Sequence, residues 1–92
     1  MDITNINTAL EPLFEILGID PLSFHYDENS ASLISDTSYT DNESDPQEYY
    51  IVIKFNNNIG TIMQGYTDGI NFYDTKFLGR LVNNNDKWEG IF

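Results

Sequence analysis

Three acidic residues at alternate positions are the part of the sequence whose spacing could hold a metal ion. Asp41, Glu43 and Asp45 match the first, third and fifth positions of an EF-hand-like calcium loop. That pattern next requires Gly at its sixth position and Glu at its twelfth, where this chain has Pro46 and Val52. The most specific positions do not match, so the sequence predicts neither a metal site nor any other cofactor.

No other set of residues offers the parts of an active site. The chain has no Cys and a single His, too few sulfur and nitrogen ligands for a zinc site. His25 falls on the polar face of a predicted strand, where we expect a hydrogen bond to a neighbour rather than a catalytic role. No serine stands in a nucleophile motif, and the six glycines are scattered rather than gathered into a phosphate-binding loop. We therefore predict that the protein is not an enzyme.

Acidic charge is concentrated in one half of the chain. Fifteen Asp and Glu residues face four Lys and Arg, which gives a formal net charge of -11. Residues 1–53 hold eleven of the acids and no Lys or Arg, whereas residues 54–92 hold four acids and four bases and sum to zero. This asymmetry favours a surface for a basic partner and argues against direct binding to nucleic acid, whose phosphates are contacted by Lys and Arg. The alternative is a solvated acidic face that keeps the protein soluble.

One helix is predicted ahead of the strands that would position these residues. Apolar residues recur at intervals of three and four from Ile3 to Leu17, and Gly18 stands where a helix commonly ends. Pro12 leaves the start of the helix open, because proline inside a helix removes a hydrogen bond. The helix begins either near Asp2 or Thr4, or at Thr8, which would place Pro12 in the tolerant first turn.

The rest of the chain reads as strands and turns. Alternating or continuous apolar residues predict strands over 22–27, 31–39, 48–55 and 61–66, and Asp68-Gly69 is a hairpin signal that leads into 70–73. Residues 41–47 lack apolar side chains and predict an exposed acidic loop. Residues 75–82 fit either a short helix or a strand. Residues 87–92 predict an edge strand, which could pair in a homodimer.

These elements predict an α+β fold in a single domain of residues 1–92, with one N-terminal helix packed on an antiparallel sheet of about five strands. Within it, residues 54–92 form the charge-neutral, β-rich half. Asp2 stands where a secretory signal would carry positive charge, and the apolar residues near it are spaced rather than continuous. We therefore expect no membrane segment and a cytoplasmic protein, which would act in the host cytoplasm if a phage encodes it.

The acidic half predicts a partner-binding surface. If residues 41–45 are extended, alternate carboxylates form a row with a spacing of about 6.6–6.8 Å, which approximates a sparse track of phosphates. Acids near the neighbouring hairpin turn would extend the row, and tyrosines beside it are of the type that anchors interfaces, although ordinary sheet packing is their alternative role. The predicted binding residues are Asp27, Glu28, Asp36, Tyr39, Asp41, Glu43, Asp45, Glu48 and Tyr50.

Small size, an acidic half, and the absence of Cys and of a catalytic constellation together resemble phage-encoded DNA-mimic inhibitors, including many anti-CRISPR proteins. The resemblance covers composition and charge layout. It implies a non-enzymatic inhibitor that binds the basic nucleic-acid-binding surface of a nucleic-acid-processing protein, for example a CRISPR nuclease or another host defence enzyme. The alternative is a small structural or adaptor domain that makes its contacts through the aromatic sheet and whose acidity serves solubility only.

Overall fold

The computed structural model describes residues 3–42 and 45–92, which form one helix and seven strands. All seven strands belong to one antiparallel sheet with the order β1-β2-β4-β5-β6-β7, and β3 pairs with β4 beside this path. The α+β prediction is confirmed, and the sheet has more strands than the five or so predicted. The elements are α1 (Ile3–Leu17), β1 (Phe24–Asp27), β2 (Ser32–Ser35), β3 (Tyr39–Asn42), β4 (Asp45–Asn56), β5 (Ile59–Thr67), β6 (Phe72–Asn84) and β7 (Lys87–Ile91).

The long strand β4 is the centre of the sheet. Along one side its C-terminal half pairs with β2, where Ile34 lies opposite Val52, and its N-terminal half pairs with β3, where Tyr39 lies opposite Tyr49. Along the other side it pairs with β5. β2 and β3 therefore lie end to end against β4. The aromatic and β-branched residues of β4 suit this central place, because they fill both faces of a strand that has neighbours on both sides.

The helix α1 covers one face of the sheet and builds the core. Ile6, Leu10 and Leu13 are buried at intervals of three and four residues, as an amphipathic helix requires. They pack on sheet residues that are also buried, namely Phe24, Leu33, Tyr39, Ile51, Ile53, Ile62 and Leu81. No helix among the described residues is long and apolar enough to cross a membrane.

The longer of the two predicted helices is the one observed. Pro12 lies inside α1 on its exposed side. The helix ends as predicted at Gly18, which has a φ of 68°. The amide of Gly18 donates to the Glu15 carbonyl and the amide of Ile19 donates to the Phe14 carbonyl, the hydrogen-bond pair of a Schellman motif.

The predicted loop over residues 41–47 is mostly strand. Asp41 and Asn42 end β3, Asp45 begins β4, and Asn42 lies opposite Asp45. Hydrophobic alternation could not reveal these strands, because the hairpin extends beyond the core and Pro46 and Gln47 are exposed. Backbone pairing with β3, rather than burial, holds this part of β4 in place.

Residues 75–82, which fit a helix or a strand equally well, form the middle of β6. Gly79 has a φ of 149°, which an α-helix does not use, and it lies opposite Ile62, next to a register shift between β5 and β6. A Cβ at this position would lie 2.6 Å from the Ile91 carbonyl oxygen. The glycine therefore marks a bulge that brings β7 close to β6.

The predicted edge strand at the C-terminal end is β7, the last strand of the sheet. Its Trp88 amide donates to the Asn5 side-chain oxygen at 2.7 Å. A Cβ at Gly90 would lie 2.6 Å from the Ala9 carbonyl oxygen, so α1 packs closely against this strand. Pairing of β7 in a homodimer stays a prediction, with the Trp88 donor already used within the chain.

Candidate functional site

The sheet face turned away from α1, here called the outer face, has an apolar centre. Ile34, Val52, Met63 and Phe77 lie directly opposite one another on β2, β4, β5 and β6. Residues opposite one another in a sheet point to the same face, so the four side chains form a row across it. Val52 at its centre is 4% exposed, whereas Phe77 is 53% exposed. No described helix covers this row.

A groove of about 300 Å³ opens on the outer face. The sheet curls, so residues of the β1–β2 hairpin and of β6 line the same groove although three strands separate β1 from β6. Ile34 and Val52 form its apolar floor. The groove is lined by Asp27, Ser30, Ile34, Val52, Lys54, Phe72 and Asp74.

An aromatic ring lies against the backbone in one wall of the groove. A Cβ at Gly65 would overlap the ring of Phe72 and lie 2.8 Å from the Tyr73 carbonyl oxygen. The ring therefore occupies the space that any other residue at position 65 would need. Phe72 remains 42% exposed, so part of its surface is available to a ligand in the groove.

The groove carries more negative than positive charge. Lys54 Nζ lies 2.7 Å from Asp74 Oδ2, in an ion pair whose side chains are partly exposed. Since Lys54 lies opposite Thr61 and Asp74 opposite Gly65, the lysine stem crosses the row of Val52 and Met63 to reach its partner. This pair neutralises one of the two carboxylates that line the groove.

The second carboxylate in the groove has no cationic partner in the described part of the chain. Asp27 is half-buried, and its Oδ2 accepts a hydrogen bond from the Ser30 hydroxyl at 2.6 Å. Among residues 3–42 and 45–92, no Lys or Arg nitrogen forms an ion pair with it. The Asp27 charge is thus left uncompensated beside an apolar floor.

A second depression, of about 360 Å³, lies on the outer face beyond the groove. It is lined by Pro46, Gln47, Glu48, Tyr50 and Thr67. Glu48, Tyr50 and Val52 are alternate residues of β4, so this depression and the groove follow one another along the same strand. Glu48 is exposed and Tyr50 half-buried, which gives this end of the face a polar, aromatic character.

Comparison with family models, curated proteins and solved structures finds no match to this chain. The outer face is therefore the basis on which a function can be assigned.

Three of the predicted binding residues line the groove or the second depression of the outer face. Asp27 lines the groove, and Glu48 and Tyr50 line the second depression. Glu28 follows Asp27 in the β1–β2 turn and is exposed. These four residues lie on two hairpins, β1–β2 and β3–β4, which follow one another along β4.

Asp36 does not lie at the β1–β2 turn. We expected it near the β1–β2 turn, but it follows β2 at the opposite end of the hairpin, where its amide donates to the Ser23 carbonyl. Its Oδ1 lies 2.6 Å from Nδ1 of His25, which confirms the hydrogen bond expected for that histidine. Asp36 therefore does not add a carboxylate to the acidic residues at the β1–β2 turn.

Tyr39 belongs to the core. It is 7% exposed on the face covered by α1, and its hydroxyl donates to Oε1 of the buried Gln64 at 2.5 Å. Its ring lies 6.3 Å from that of Tyr49, which in turn lies 6.5 Å from that of Tyr66. Sheet packing is thus the role of Tyr39, and its ring offers no contact surface to a partner.

The predicted row of carboxylates lies outside the part of the chain that the structure describes. This holds for Glu43 and for the side chains of Asp41 and Asp45, so the calcium-loop pattern at these positions stays untested. In the part of the chain that is described, no three His, Cys, Asp or Glu side chains are grouped so that they could hold a metal ion.

Phe72, Asp74, Lys54 and Ile34 were not predicted as site residues. They come from three strands, β2, β4 and β6, and their meeting depends on strand pairing and on the curl of the sheet. One signal was present in the sequence: Gly65 interrupts a strand, and a glycine there often marks a close approach to the backbone.

Proposed function

We propose that this protein is a non-enzymatic inhibitor that uses its acidic outer face to bind the basic nucleic-acid-binding surface of another protein, such as a CRISPR nuclease. One observation carries the proposal. The described acids of residues 1–53 lie at the surface of a stretch that has no Lys or Arg. Asp27 is half-buried, and the exposed ones are Glu11, Glu15, Asp20, Glu28, Asp36 and Glu48.

The outer face combines the two properties that such binding needs. Glu28 and Glu48 lie on hairpins towards the two ends of β4 and would attract a basic surface over a distance, which speeds association at low salt. Phe72 and Tyr50 lie on the same face, partly exposed, and aromatic side chains of this kind supply much of the binding energy in protein interfaces. Charge would steer the partner, and the aromatic surface would select it.

A second candidate function is an adaptor domain that binds through apolar contacts alone. It is favoured by the number of large apolar side chains at the surface, since such residues usually mark an interaction site when they are contiguous. Phe72 and Phe77 on β6 and Ile91 on β7 are each more than two-fifths exposed. This function predicts binding that is indifferent to salt.

Affinity capture tests the proposal against the adaptor function. The protein would be immobilised and exposed to nuclease-treated bacterial lysate, and bound proteins would be eluted first with rising salt and then, in a parallel run, with double-stranded DNA. We expect one basic nucleic-acid-binding protein that both salt and DNA release. A partner that resists salt and is not displaced by DNA would contradict the proposal and support the adaptor function.

A further inference from the structure

We infer that the groove on the outer face is a binding subsite for an arginine side chain of the partner protein. The inference rests on the proposed function, because it names the residue that a basic partner would insert. It is argued from the shape of the groove, its charge and the aromatic wall.

The shape and floor of the groove suit a long, amphipathic side chain. The groove has a volume of about 300 Å³ and opens to solvent, and its floor is formed by Ile34 and Val52. Long cationic side chains bury their aliphatic stems on apolar surface and keep the charged group at its edge. Lys54 already lies across this surface in that way to reach Asp74.

The net negative charge of the groove favours binding of a cation. Asp27 and Asp74 line it, and Lys54 neutralises Asp74 at 2.7 Å. From the described residues Asp27 receives one hydrogen bond, from Ser30 to its Oδ2, and Oδ1 can accept from a ligand. A neutral or anionic occupant would remove water from the Asp27 carboxylate without supplying a positive charge to interact with it. Burying an unpaired charge in this way costs free energy.

The aromatic wall favours arginine over lysine. A guanidinium is planar, stacks on aromatic rings and is more weakly hydrated than an ammonium, so it loses less on entering a partly buried groove. Phe72 presents such a ring, partly exposed, in the same groove that Asp27 lines. On the neighbouring part of β6 the chain makes a contact of this type itself, since the Arg80 guanidinium carbon lies 5.9 Å from the centre of the Phe77 ring.

The test uses two peptides of equal charge, hexa-arginine and hexa-lysine, titrated into isotopically labelled protein at about 0.15 M salt. We expect hexa-arginine to bind about fivefold more tightly and to shift the amide signals of Val52, Gly65 and Phe72. Asp27→Asn and Phe72→Leu should each remove the preference for arginine. Glu28→Gln makes the same charge change one residue away from Asp27 and should weaken both peptides equally. Unfolding midpoints of all variants would check that the fold is retained.

The outcomes separate the subsite from the proposed function. Equal binding of the two peptides to the outer face, with both weakened by Glu28→Gln, overturns the arginine subsite and leaves the acidic binding face intact. Preference for arginine that survives Asp27→Asn and Phe72→Leu also overturns the subsite. If neither peptide shifts any outer-face signal, the subsite and the proposed function both fail.

Discussion

At the scale of single residues, Asp68 fixes the turn between β5 and β6. Its Oδ1 accepts hydrogen bonds from the amides of Ile70 at 2.9 Å and Asn71 at 2.7 Å, and its Oδ2 accepts from the Tyr73 hydroxyl at 3.2 Å. The Asn71 amide, followed by the Ile70 amide, lowers the pKa of Asp68 below its usual 3.8. Hydrogen bonds to the ionised form have this effect because they stabilise the carboxylate relative to the acid.

This lowered pKa predicts a pH dependence that Asp68→Ala should remove. A carboxylate whose pKa is lower in the folded state stabilises the fold at pH values above its unfolded pKa, and the contribution disappears as the pH falls through the folded value. The wild type should therefore unfold at a higher temperature than the variant near neutral pH, and the gap should narrow as the pH falls below 3.8. Thermal unfolding followed by circular dichroism at a series of pH values would measure it. A gap that stays constant or widens in acid would contradict the role given to Asp68.

Gly65 is a second residue whose identity the fold requires. Gly65→Ala would place a methyl group into the Phe72 ring and 2.8 Å from the Tyr73 carbonyl oxygen. Because backbone cannot move aside as a flexible side chain can, we expect a loss of about 1–3 kcal/mol in the free energy of unfolding. Urea denaturation would measure this loss. An unchanged midpoint would mean that Phe72 does not lie on Gly65, and the wall of the groove would then be wrongly placed.

At the scale of elements, α1 shows which part of the fold the sequence could predict. The spacing of Ile6, Leu10 and Leu13 predicted the buried face, and Gly18 predicted the end. The start could not be decided locally. Proline inside a helix costs about 3 kcal/mol, whereas burying a side chain such as Ile6 contributes about 1.5–3 kcal/mol. The second term depends on the sheet beneath the helix, which local spacing does not reveal.

The position of Pro12 leads to a stability prediction for this helix. Pro12 is exposed and lies inside α1, so Pro12→Ala restores a backbone donor without disturbing the core. We expect the free energy of unfolding to rise by about 1–3 kcal/mol. Glu11→Ala, at the adjacent exposed position, is the control and should change stability by less than about 0.5 kcal/mol. Urea denaturation of the three proteins tests this, and a destabilised Pro12→Ala variant would contradict a continuous helix through residue 12.

The strand residues that the sequence analysis placed in a loop or left undecided share a physical reason. Polar residues at the start of β4 are held by pairing with β3, and Gly79 in β6 forms a bulge against β5. Hydrophobic periodicity reports burial, so it cannot find a strand whose faces are exposed or whose alternation a bulge interrupts. The sheet also gains a strand because the single strand predicted over residues 31–39 is two strands, β2 and β3.

At the scale of the whole molecule, the distribution of charge could be predicted from the sequence, whereas the shape of the surface could not. The contrast between the acidic residues 1–53 and the neutral residues 54–92 could be counted directly, and it pointed to Asp27, Glu48 and Tyr50. The groove could not be foreseen, because Phe72 and Asp74 reach Asp27 only through the curl of the sheet across β2, β4 and β5. Long-range register, unlike charge, is absent from local sequence.

The most direct test of the central claim compares two surfaces of one molecule that carry the same charge change. Glu28→Gln with Glu48→Gln removes two exposed acids from the hairpins beside the outer face, and Glu11→Gln with Glu15→Gln removes two from the exposed side of α1. The affinity of each double variant for the partner released by salt and DNA would be measured by titration calorimetry.

We expect the hairpin variant to lose at least about tenfold in affinity, a difference of about 1.4 kcal/mol, because its acids lie in the interface. The α1 variant should bind within about twofold of the wild type, since exposed charges outside the interface are screened from the partner by solvent and salt. Equal losses in the two variants would mean that net charge and not the outer face drives binding. Full affinity in the hairpin variant would contradict the acidic outer face as the binding surface.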